Sequence, residues 1–241
     1  MRKRSGITII GVTAVAVVVG AVFAIAKDDN ASERPTDGTG DVPYLPAIDP
    51  AAFSTIIDHP FLPFTPGARW VYESLEDGER EEITVEVTDE IRTVMGVATI
   101  VVHDVVRVDG AIVEDTYDWY AQDSAGNVWY FGEDTTGYED GVPTTAGSWE
   151  AGVDGAQPGI VMPAEPAVTG ERYRQEFYPG EAEDMGEVVD VTADKVLTHD
   201  WTPLEPGVVE QKTYQRGVGL VREEKIEGGS GVVVLVEVTA R

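Results

Sequence analysis

Ile83-Thr84-Val85-Glu86-Val87-Thr88 decides the fold, because its apolar and polar residues alternate with a period of two. That period places Ile83, Val85 and Val87 on one face of a strand and their polar partners on the other. Upstream, Arg69–Leu75 repeats the pattern through Trp70 and Tyr72. Asp77-Gly78 lies between the two strands and signals a tight hairpin, whose central residues need positive φ. Asp109-Gly110 repeats the device between Val97–Val108 and Ile112–Gln122, and Ser124-Ala125-Gly126-Asn127 turns the chain into Val128–Phe131. Strands joined by such short turns form an antiparallel meander.

The segment from Glu133 to Gly170 breaks this rhythm and reads as a long central loop, dense in Gly, Pro, Thr and acids and holding Trp149 and Ile160. Strand periodicity resumes at Tyr173–Tyr178, Glu187–Val191, Val196–His199, Val208–Arg216, Leu220–Ile226 and Val232–Val238. The expected fold is therefore mainly β: a single curved antiparallel sheet of about ten strands, as a half-barrel or small barrel. Val97–Val102 and Val232–Val236 are apolar on both faces and require cover by a second layer, by the central loop or by a bound apolar ligand.

The N-terminus sets the location. Arg2, Lys3 and Arg4 precede an uncharged apolar run from Ser5 to Ala26, the pattern of a helical segment that sends the following chain out of the cytoplasm. Residues 1–26 read as either a signal peptide, with Ala24-Ile25-Ala26 as the cleavage site, or a signal anchor holding the protein to the membrane. Residues 27–58 form an acidic Pro/Gly-rich linker that cannot offset its ordering entropy by burial. Residues 59–241 make one β-rich extracytoplasmic domain, a length sufficient for a single core.

The chain has no cysteine, which excludes disulfides, thiolate metal sites, cysteine nucleophiles and a lipid-modified cysteine. The net charge is −27 with three basic groups in residues 1–26, leaving −30 beyond them. Such a polyanion repels phosphate backbones and excludes nucleic acid as a partner.

No catalytic signature is present. His59, His103 and His199 are not at ligand spacing, and His199-Asp200 point to opposite sides of a strand. Gly228-Gly229-Ser230-Gly231 sits in a hairpin turn, not in a nucleophile elbow. Glu133-Asp134, Glu139-Asp140 and Glu181-Ala182-Glu183-Asp184 could gather oxygens for calcium, but none follows a calcium-loop pattern, and solvated loops are the simpler reading. Arg172 and Arg174 are expected to pair with Glu181, Glu183 or Asp184. Trp70, Val101, Tyr117, Trp119, Tyr173 and Phe177 are the candidate residues of an apolar concave face.

Pro60-Phe61-Leu62-Pro63-Phe64-Thr65-Pro66-Gly67-Ala68-Arg69-Trp70-Val71-Tyr72 resembles the first strand of a group of exported actinobacterial proteins of unknown role. Val128–Asp134 and Tyr173–Glu183 look like later segments of that group. Gly217-Val218-Gly219-Leu220-Val221-Arg222-Glu223-Glu224 resembles the closing motif of TapB-like envelope domains, which are similar to LolA-like half-barrels. This resemblance implies a curved sheet with a concave apolar face and no established activity or cofactor.

Three functions follow as expectations. The first is a non-enzymatic envelope protein holding an apolar small molecule or lipid in its concave face. The second is a structural or protein-interaction module on a membrane stalk, its concave face filled by its own side chains. The third is a hydrolase without a recognisable signature. A groove left open by the 133–170 segment would favour the first; Trp149 and Ile160 packed into it would favour the second.

Overall fold

The computed structural model describes residues 44–76, 78–139 and 141–239. The leader and most of the linker lie outside them. Among the described residues no helix is long and apolar enough to cross a membrane. A single 3-10 turn, Pro50–Ala52, is capped by the Asp49 carboxylate, which accepts from the Ala51 N–H.

Among the described residues sixteen strands form one antiparallel sheet. They are β1 (Phe53–Ser54), β2 (Arg69–Glu76), β3 (Glu79–Val94), β4 (Val97–Val108), β5 (Ala111–Asp123), β6 (Val128–Glu139), β7 (Val142–Thr144) and β8 (Trp149–Glu150). There follow β9 (Gln157–Met162), β10 (Arg172–Arg174), β11 (Glu176–Phe177), β12 (Met185–Val191), β13 (Lys195–Trp201), β14 (Val209–Gln215), β15 (Gly219–Glu227) and β16 (Gly231–Thr239). The spatial order runs β10-β12-β13-β14-β15-β16-β2-β3-β4-β5-β6-β9-β11.

The two ends of that order are neighbours in sequence. Arg172–Arg174 pair with Glu187–Met185 of β12, and after Gln175 the chain crosses over so that Glu176 and Phe177 pair with Pro158 and Gln157 of β9. One short segment therefore serves both edges and brings the sheet nearly to closure, which removes exposed edges. The close approach depends on Gly159: a Cβ there would lie 2.3 Å from the Gln175 carbonyl carbon.

The count of about ten strands is too low for two reasons. Short strands hide within the turn-rich 133–170 segment, where β6 continues to Glu139 and β7, β8 and β9 follow. Tyr173–Tyr178 is also split between two partners. Nearly half of the expected long loop is therefore sheet. The β3–β4 hairpin turns at Met95 and Gly96, both at positive φ (49° and 80°), a turn whose Met gives little warning in the sequence.

The doubly apolar β4 is covered on both faces, with Val101, Val102, Val105 and Val106 all buried. On the outer side the N-terminal segment lies over β6, two strands away, where Phe53 packs edge-on against Trp129 and Phe131, at 5.9 and 5.5 Å between ring centroids. The β16 ribbon departs from expectation. Val233 is buried, but Val234 and Val236 face water at 36% and 52% exposure, since nothing described packs over that strand's outer side.

Candidate functional site

The side chains facing into the barrel carry its distinctive chemistry. β5 sends Glu114, Thr116, Asp118 and Tyr120 inward, all buried, while Tyr117 and Trp119 take the outer face. Register extends the inner row across the sheet: Asp104 lies opposite Thr116, and Asp118 opposite Glu133. Tyr130 Oη donates to Asp118 Oδ1 at 2.8 Å, and Thr135 Oγ1 to Glu133 Oε2 at 2.8 Å. The Thr116 hydroxyl lies 3.1 Å from that of Thr135.

A second cluster occupies the β12–β15 wall. Lys212 Nζ is 3.1 Å from Asp200 Oδ2 and 3.7 Å from Glu223 Oε2, with all three side chains buried. Gln175 Nε2 donates to Asp200 Oδ2 at 3.0 Å, linking this cluster to the closing segment. Near the rim, Lys225 pairs with Glu76. A cavity of about 10 Å³ beside Asp184, Asp200, Glu210 and Lys212 has room for about one water molecule.

Between the clusters lies Glu176, wholly buried, its carboxyl approached by the Trp149 indole N–H but making no hydrogen bond of good geometry. Glu133 Oε1 and Asp104 Oδ1 are likewise unpartnered. Burial disfavours the ionised form of a carboxyl, and neighbouring acids disfavour it further. Asp118 and Asp184 are pushed up to about 7, mainly by burial. Glu114 is also raised to about 7 by burial. Asp104, Glu133, Glu176 and Glu223 are pushed well above the ordinary carboxylate range by burial and then by nearby acids. Burial and mutual repulsion therefore favour the protonated form of these acids, which masks part of the formal charge of the lining.

No family model matches the chain, and no curated protein matches it. Among solved structures it is similar to the crystal structure of "a putative lipoprotein from Parabacteroides distasonis", at 16% identity and a TM-score of 0.40. That match covers 74% of this chain and 98% of the other.

The candidate apolar-face residues do not share a face. Trp70 points inward, its Nε1 donating to Val218 O at 2.7 Å. Tyr173 also lies inside, against Gly186 and in the field of Asp200 and Lys212. Val101 and Trp119 are register partners on the outer side, where Arg92 stacks over the Trp119 ring at 3.9 Å. Tyr117 is outside too, stacked on His103 at 4.4 Å, and Phe177 lies beneath the Arg174 guanidinium at 4.4 Å. The concave side is thus part aromatic and part carboxyl, not a continuous apolar face.

The acidic motifs sort differently from expectation. Glu133 belongs to the buried lining and the half-buried Asp184 adjoins it, whereas Glu183 accepts from the Gly180 N–H at 2.7 Å in an exposed turn. Asp140 and the Glu139 side chain lie outside the described residues. No group of three acids or histidines among the described residues is placed to hold a metal ion. Arg172 turns to Glu187 at 3.7 Å and to the Trp201 ring, not to Glu181, Glu183 or Asp184. Sequence reasoning missed the Glu114-x-Thr116-x-Asp118 row; its only local signal is a second polar face on a strand whose other face is aromatic.

Proposed function

We propose that the protein is a non-enzymatic structural or interaction module displayed outside the membrane, its barrel filled by its own side chains. The observation that supports this reading is Trp149. β8 pairs with β6 so that Trp149 stands opposite Glu133, and the indole packs edge-on against Tyr130 at 5.4 Å with 4% exposure. Tyr120 in turn stacks on Tyr130, at 4.9 Å between ring centroids. Ile160 takes no part in this filling; it sits opposite Trp129 on the outer side.

An apolar cargo would have to displace these rings and then lie against carboxyls such as Glu133 and Glu176. Acyl chains cannot satisfy such groups, and leaving them unpaired in an apolar medium costs several kcal/mol each. The self-filled module is the more economical reading, and its working surface is then the exterior. Native mass spectrometry of gently purified full-length protein tests it. The expected result is the bare chain mass; a stoichiometric co-purified lipid would restore the carrier.

A further inference from the structure

We propose that the Arg172–Phe177 segment is an acid-closed latch, shut while Glu176 and its carboxyl neighbours are protonated and released as they ionise. The seam holds the shortest pairing along the barrel wall, that of β11 with β9, and its other half is no longer than the β15–β16 or β6–β9 pairings. β10 holds β12 through three register pairs, and β11 holds β9 through two, whereas β3, β4 and β5 pair along most of their length. At the crossover, Gln175 donates its backbone N–H to Asp184 O at 2.8 Å and its side chain to Asp200. Glu176, the next residue, is carried wholly inside, where the Trp149 indole is the donor beside its carboxyl and no hydrogen bond of good geometry forms.

Every wall around Glu176 contributes titratable groups. Asp184 comes from the turn before β12, Glu133 and Tyr130 from β6, Tyr120 from β5 and Lys212 from β14. Asp200 and Glu210 stand behind Asp184. Trp149 of β8 flanks Glu176, and β9 presents only Gln157 and Pro158. Lys212 is the one cation in this set, and it is already engaged by Asp200 and Glu223. Ionised Glu176 would therefore face two acids with no cation of its own. Swinging the short segment outward hydrates it while leaving the long strands paired.

Hydrogen exchange of the full chain from pH 5 to pH 8, with labelling times scaled for the intrinsic amide rate, tests the latch. One proton released on opening raises the opening constant about tenfold per pH unit. Peptides covering residues 157–162 and 172–187 should lose protection at about that slope and, at every pH, exchange through an opening of lower free energy than residues 97–123, which open only with the whole fold. Glu176→Gln, which cannot ionise, should flatten the seam's response. A parental seam that does not respond, one that opens in step with residues 97–123, or a Glu176→Gln protein with the parental slope would overturn the proposal. If Glu176→Gln does not fold, Asp184→Asn is read by the same criteria.

Discussion

Raising the pH from 5 to 8 should destabilise this protein, the reverse of the behaviour of a domain whose carboxylates are salt-bridged. Asp118 and Asp184 are held at about 7 in the folded chain against 3.8 for an unburied aspartate. Glu114 is held at about 7 against 4.5. Between those limits the folded state binds protons that the unfolded state has released. Stability is then fully present below about pH 4 and is lost as pH rises towards 7. Each such proton contributes about 1.4 kcal/mol per pH unit. Three independent groups would give a slope of about 4 kcal/mol per unit, and their mutual interaction spreads the titration, so about 1–4 kcal/mol per unit is expected. Against a total of about 5–15 kcal/mol for a typical domain, that is a large fraction. His59 opposes the trend: burial lowers its pKa from 6.5, so its contribution is lost as the pH falls. It is one group against several. Urea unfolding at pH 5, 6, 7 and 8 reads the slope directly. A midpoint that is flat or that rises with pH would refute the reasoning.

Three substitutions probe the parts separately. Lys212→Met removes the cation between Asp200 and Glu223 and should cost about 3–5 kcal/mol at pH 7, as for a broken buried pair. In urea melts that loss should shrink at pH 5, where more of the surrounding acids carry protons. Gly159→Ala forces a methyl against the Gln175 backbone, and should lower stability by about 1–3 kcal/mol or more and loosen the 172–187 segment in hydrogen exchange. Asp123→Ala deletes the acceptor for the Ala125, Gly126 and Asn127 N–H groups and for Trp129 Nε1. It should cost about 1–3 kcal/mol in thermal unfolding without altering the pH slope.

Much of the wall was legible because its signals are local. Val97–Val108 matches β4, and Asp109-Gly110 turns as its residue types demand, both at positive φ. In Val97–Val102, Val101 between Ile100 and Val102 announced a strand needing two covers, and all three are buried. The lining was not legible, because the burial of an acid is decided by distant residues. Asp118 is buried because Tyr130 donates to it from the next strand, and Asp200 because Lys212 and Gln175 meet it across the wall. On β5 alone, the Asp118 face looks like the wet side and the Trp119 face like the core. The N-terminal segment reverses this by covering the outside, with Phe53 against Trp129 and Phe131. The alternation through Tyr173–Phe177 failed for a different reason. The segment changes pairing partner at Gln175, so Gln175 and Glu176 are both buried and the period of two breaks there.

Infrared spectroscopy of the folded protein at pH 7 tests the proton-holding interior most directly. The account predicts a carbonyl band of protonated carboxyls, lost on unfolding in urea and weakened in Glu133→Gln. A spectrum at pH 7 with only ionised carboxylate bands would mean that the barrel does not hold its acids as described.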